Sequence, residues 1–133
     1  MREIKFRGYD QEHKQWVYGW YTKMVEGIRR FDAIISDTDG ELTRFYIHDP
    51  YTIEQYTGLH DKDGNEVYEG DVLLSSYGIP PRKVQGAVEY DGSAFIIRLP
   101  GHSPSLVTIH SLLEYLGDVY VIGNIHENSE LLK

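Results

Sequence analysis

The sequence predicts a mostly β protein: a single domain of many short antiparallel strands with one or two short helices. Aromatic residues are dense, with eleven tyrosines and two tryptophans in 133 residues. Aromatic and β-branched side chains favour the pleated, half-buried surface of a strand. Turn signals recur at Asp39-Gly40, Asp63-Gly64-Asn65 and Asp91-Gly92, each between extended stretches, and Asp-Gly supplies the positive φ that tight hairpins demand. Between the turns apolar residues alternate with period two, which places every second side chain on one face.

The elements follow in order. Ile4 and Phe6 alternate in a first segment, Trp16, Tyr18 and Trp20 in a second, and Ile28 to Ile35 forms a third run before the Asp39-Gly40 turn. Leu42 to Ile47 reads as extended. Asp49-Pro50 then suits the opening of a short helical turn, because proline is tolerated at a first helical position. Ile53 to Thr57 continues as a strand. Gly70, between Tyr68 and Asp71, marks a bend between two strands, the second running from Asp71 to Ser76. Around Asp91-Gly92, Val84, Gly86, Val88 and Tyr90 alternate before the turn, and Phe95, Ile97 and Leu99 after it. Leu106 to Ile109 and Val119 to Ile122 complete the strands. Ser111 and Glu114 form a capping box for one short helix, which Gly117 stops. Tyr77 to Arg82 and Gly101 to Pro104 read as surface loops. Residues 1–133 read as one domain, with a division near Gly58 as the alternative.

Composition narrows the chemistry. Hydrophobic residues make up 41% and charged residues 26%, enough apolar side chain for a real core. There is no cysteine, so disulfides, thiolate metal sites and a cysteine nucleophile are excluded. No apolar stretch resembles a signal peptide or approaches the ~18 residues of a membrane helix, so the expected location is the cytoplasm. The formal net charge of −8 opposes generic binding to phosphate backbones without excluding a local basic patch.

Most motif-like patterns read better as structure. Asp61-Lys62-Asp63-Gly64-Asn65 begins like a calcium loop. A calcium hand needs glycine at its sixth position and a bidentate glutamate at its twelfth, and Glu66 and Val72 stand there instead. The expectation is a turn without a divalent site. None of the six histidines (13, 48, 60, 102, 110 and 126) belongs to an HExxH-type pair. No nucleophile elbow or phosphate-binding glycine loop is present. Glu69 and Asp71 have the spacing of an acid/base pair on one strand face, but the glycine between them favours a bend. The run from Trp16 to Tyr21 has two readings. Trp16, Tyr18 and Trp20 form a stacking platform for bases or a protein hot spot, or they fill the core; the core is preferred.

Several stretches, ordered along the chain, carry a resemblance. They are Met1 to Gly8, Gln55 to Leu59, Asp61 to Glu66, Tyr68-Glu69-Gly70-Asp71 and Val121 to Ile125, followed by Glu127-Asn128 and Glu130-Leu131-Leu132. Together they are similar to the YopX-like family of phage and prophage proteins, with Gln55 to Asp71 as the most specific part. Ser129 replaces the proline of that family's Asn-Pro-Glu-Leu ending, and Met24 to Phe45 matches little. The resemblance implies a largely β fold with barrel-like (SH3-like) features, a phage or prophage origin and action inside a bacterial cell. It implies no enzymatic activity and transfers no functional residues.

The expected function is therefore a non-enzymatic phage or prophage accessory protein that works by binding, as a homo-oligomer or with a host or phage protein. No catalytic, cofactor or metal residue is assigned, and no membrane contact is expected. Leu131 and Leu132 are expected to bury against this chain or a neighbouring copy. One alternative is a nucleic-acid-associated module using Trp16, Tyr18, Trp20, Arg29 and Arg30. A further alternative is a small carboxylate-based hydrolase using Glu69 and Asp71.

Overall fold

The computed structural model describes residues 4–77, 82–98, 106–108 and 118–128, and divides into two compact units, Met1–Tyr56 and Thr57–Lys133. The expected short helix at Ser111, the loop at Gly101 to Pro104, residues 78–81 of the Tyr77 to Arg82 loop, and Leu131 with Leu132 lie outside the described residues.

In the first unit, β1 (Phe6–Asp10), β2 (Gln15–Glu26), β3 (Arg29–Thr38) and β4 (Glu41–Ile47) lie in the order β4-β3-β2-β1, and the start of β5 (Glu54–His60) pairs with β1. Local chemistry sets each connection. Asp39 and Gly40 have φ of 53° and 85°, both positive as a type I′ turn requires, and Thr38 pairs directly with Glu41. Gly27, at φ 61°, opens the two-residue turn between β2 and β3. At the β1–β2 turn the Asp10 carboxylate accepts the Glu12 and His13 amides at 3.1 and 3.4 Å. The expected helical turn after Asp49 is a single 3₁₀ turn, Pro50–Thr52, with the Asp49 side chain accepting the Tyr51 amide at 3.0 Å. The extended reading of the following residues is also correct, since they enter β5.

β2 and β3, at twelve and ten residues, are longer than the short strands expected. β2 changes partner along its length: Gln15 to Gly19 pair with β1, and Trp20 to Glu26 with β3. Gly19 is required at the handover, because a Cβ there would sit 2.0 Å from the Ile35 carbonyl oxygen. Val17, Ile34 and Ile47 form the unit's buried cluster, flanked by Phe6, Tyr21, Phe45 and Ile53.

In the second unit the end of β5 lies beside β6 (Glu66–Tyr68). β7 (Asp71–Tyr77), β8 (Arg82–Tyr90), β9 (Phe95–Arg98), β10 (Leu106–Thr108) and β11 (Val119–Asn124) form an antiparallel sheet ordered β10-β9-β8-β7-β11. Val67, Leu73, Val88, Ile97 and Val119 make its core. The Asp91-Gly92 hairpin is real but has four residues between Tyr90 and Phe95 rather than a two-residue turn. Asp91 organises it by accepting the Ser93 and Ala94 amides at 3.0 and 2.9 Å. The barrel-like expectation needs correcting, because the described strands form sheets with two free ends and do not close.

The stretch that begins like a calcium loop is a carboxylate-centred turn. Asp61 Oδ1 accepts the Asp63 and Asn65 amides at 3.0 and 2.8 Å, and Oδ2 accepts Asn65 Nδ2 at 3.1 Å and the Val121 amide at 2.9 Å. Burial pushes this carboxyl up, but the four donors prevail and hold it below the ordinary aspartate value. Gly70 has φ of 85°, donates to the Val88 carbonyl and accepts from the Ile125 amide, both at 2.9 Å.

Two predictions follow from these turns. Gly70→Val forces a β-branched residue to positive φ and should cost about 1–3 kcal/mol in a denaturant melt; a melt matching the parent's would refute the strain. Asp61 has a folded pKa below its unfolded one, so its stabilisation is full at neutral pH. That stabilisation is lost as pH falls below about 4, through the depressed folded value. Asp61→Asn should therefore be less stable at neutral pH and lose less stability than the parent over that acid interval.

Candidate functional site

Strand alternation in the first unit separates two sheet faces. Val17 enters the core, so its neighbours Trp16 and Tyr18 fall on the opposite, outer face, and Trp20 follows them. Trp16 is half-buried, while Tyr18 and Trp20 remain 44% and 54% exposed. This corrects the preferred core reading of the three aromatics: the small aliphatic residue between them fills the core, and the rings line the outside.

The inner end of this face is fixed by a buried ion pair. Arg7, opposite Tyr18 in register, donates through Nε and Nη2 to Glu54 Oε1 at 3.0 and 2.9 Å. Its guanidinium also lies 4.8 Å from the Trp16 ring centre, and Tyr9 meets that ring edge-on at 5.5 Å. Arg7 and Glu54 are 6% and 3% exposed, so the pair is an internal support rather than a contact surface.

The outer end carries a ladder of rings and guanidiniums across β3 and β4. Arg29 lies 5.2 Å from the Phe31 ring centre, Phe31 packs on Tyr46 at 5.3 Å, and Arg44 lies 5.2 Å from the Tyr46 ring centre. Arg44 also points Nη1 at Met24 Sδ, 3.6 Å away. Arg29 therefore shares the outer face with Trp20. Arg30, the next residue, falls on the opposite side of the strand, so the two arginines do not act as one patch on that face. Both line a cavity of about 540 Å³ that also meets Phe31, Asp32, Tyr46 and His48. Asp32, which lines that cavity, accepts the Tyr21 hydroxyl at 2.6 Å, and this hydrogen bond with burial pushes the hydroxyl up to about 12. A second groove, of about 510 Å³, runs beside Tyr18 and Trp20 and is lined also by Lys5, Ile35 and Asp37.

Sequence reasoning did not single out Phe31, Arg44 and Tyr46. The signal was available in the Asp39-Gly40 turn. Pairing Thr38 with Glu41 puts Ile35 opposite Arg44 and Ala33 opposite Tyr46.

Other carboxylate clusters have evident local work. Asp71 is buried and its Oδ2 accepts the Tyr68 amide at 2.8 Å, closing the bend around Gly70. Asp10, Glu12 and His13 bring their ligand atoms within 4.8 Å of one another. Within that cluster Asp10 Oδ2 lies 2.6 Å from His13 Nδ1. The hydrogen bond and the charge of Asp10 raise the His13 pKa. Burial pushes Asp10 up, but its bonds to His13 and Glu12 hold it below the ordinary value. The cluster reads as the staple of the β1–β2 turn.

The model of the family described as YopX protein matches residues 5–133. The crystal structure of protein EF1440 from Enterococcus faecalis is similar over 100% of both chains, at 26% sequence identity and a TM-score of 0.58. No curated protein sequence matches. Among the described residues, no helix is long and apolar enough to cross a membrane.

The face's support and its exposed rings should separate under mutation. Arg7→Ala strips Glu54 of its guanidinium partner and should destabilise by about 3–5 kcal/mol, whereas Trp20→Ala should stay within about 0.5 kcal/mol. Urea melts of both variants check this, and equal losses would contradict the division.

Proposed function

The chain belongs to the YopX protein family, and from that premise we propose that it acts by binding rather than catalysis, through the outer sheet face of residues 4–56. The observation that carries this reading is the exposure of Tyr18 and Trp20 on a face otherwise held rigid by a buried ion pair. Large rings left in water on a pre-ordered sheet lose little conformational freedom on docking, and Trp, Tyr and Arg are the residues that dominate binding surfaces. A role as a phage or prophage accessory protein inside the bacterial host cell belongs to the same proposal. The carboxylates considered for a hydrolase are better explained as turn elements, since Asp71 spends an oxygen on the Tyr68 amide.

Carbene footprinting of the full chain, purified and in host-cell extract, tests the face. Tyr18, Trp20 and Tyr46 should label less in extract, while the exposed Tyr51 and Tyr90 label equally in both. Unchanged labelling of the outer rings would sink the proposal.

A further inference from the structure

From the composition of this face we infer that its occupant is single-stranded nucleic acid, with bases stacked on Tyr18, Trp20 and Tyr46 and phosphates met by Arg29 and Arg44. The inference rests on the binding reading above and names the partner.

The chain has 21 acidic residues against 13 lysines and arginines, so carboxylates are plentiful. Nevertheless, among the described residues, neither Arg29 nor Arg44 has a carboxylate partner within ion-pair distance. Each is spread on an aromatic ring instead. A guanidinium laid on a ring keeps its N–H donors at the edge, where a planar fork matches a phosphate; Arg44 directs one of its donors, Nη1, at the weak acceptor Met24 Sδ. The two forks flank the Phe31–Tyr46 pair, so cationic and stacking groups alternate across β3 and β4. Toward β1 a separate groove beside Tyr18 and Trp20 includes Lys5 and Asp37. Stacking rings interleaved with cations on one face is the kind of surface that holds single strands without reading their sequence.

The acidity of the chain does not oppose this placement uniformly. Residues 1–56 hold eight Lys and Arg against ten Asp and Glu, a net −2, whereas residues 57–133 hold five against eleven, a net −6. The face lies on the nearly balanced unit. Bases of a duplex are stacked on each other and unavailable to these rings, so the single strand is the fitting form.

Fluorescence anisotropy of labelled oligothymidylate and oligouridylate, titrated with the full chain over a salt series, tests the inference, and the two probes separate DNA from RNA. Saturable binding to either should weaken as salt rises. Trp20→Ala should weaken it roughly tenfold or more. Arg29→Gln with Arg44→Gln should flatten the slope of log affinity against log salt by about 1.4, two phosphate contacts' worth. No binding to either probe at low salt, or binding that these exposed-site variants leave unchanged, would overturn it. Nuclease treatment of the footprinted extract separates this inference from the face reading. Protection lost on digestion supports the nucleic acid, and protection that survives overturns it while leaving the face as a binding surface.

Discussion

A hairpin turn of two residues leaves no slack, so the backbone angles at its tip dictate which side chains meet along both strands. In the first unit this constraint acts twice in succession. Gly27 joins β2 to β3 and Asp39-Gly40 joins β3 to β4, and each closes with directly opposed flanking residues. A slip of one residue at either tip would exchange the two faces of a strand. Ile34 would leave the core, and the ring and guanidinium ladder would not assemble. The buried cluster and the exposed face are therefore two results of the same pair of turns.

The turns were also the legible part of the sequence. Asp39-Gly40, the bend at Gly70 and the Asp49-Pro50 turn were readable because each needs a residue type that few others replace. The period-two runs located nearly every described strand. What stayed hidden was the destination of each face. Trp16, Tyr18 and Trp20 share a face by spacing alone, but spacing cannot say whether that face looks inward. The answer lay in Val17, whose cross-strand neighbour Gly8 leaves room for Ile34 and Ile47 to pack. Adjacent Arg29 and Arg30 look like one basic patch in one dimension, and a strand sends them apart. Asp10 and His13 were similarly hidden, since they meet across a turn rather than along a helix.

Charged groups divide between internal support and solvent-facing work. Arg7 and Glu54 are paired, buried and remote in sequence, a pattern that fixes geometry more than it adds net stability. Asp10, Asp61, Asp71 and Asp91 each serve a turn by accepting nearby amides. Aspartate is short enough to reach its own backbone without leaving the turn. Part of the chain's acidity is thus spent on turns, and among the described residues Arg29 and Arg44 rest on aromatic rings rather than on carboxylates.

The position of β11 has a consequence for the order of events during synthesis. β1 with β2, β2 with β3 and β3 with β4 pair across short turns, so these contacts close quickly once their residues emerge from the ribosome, and β5 returns to β1 directly after them. The second unit differs. β7 must hold one edge open while β8, β9 and β10 are made, because its other neighbour is β11, whose Val119 pairs with Ser75 and enters the core. Until that strand arrives, the nascent sheet exposes an unpaired edge and an incomplete apolar cluster, the features that chaperones and foreign strands engage. A growing chain of this protein is therefore most vulnerable to mispairing in the interval between the completion of β7 and the arrival of β11.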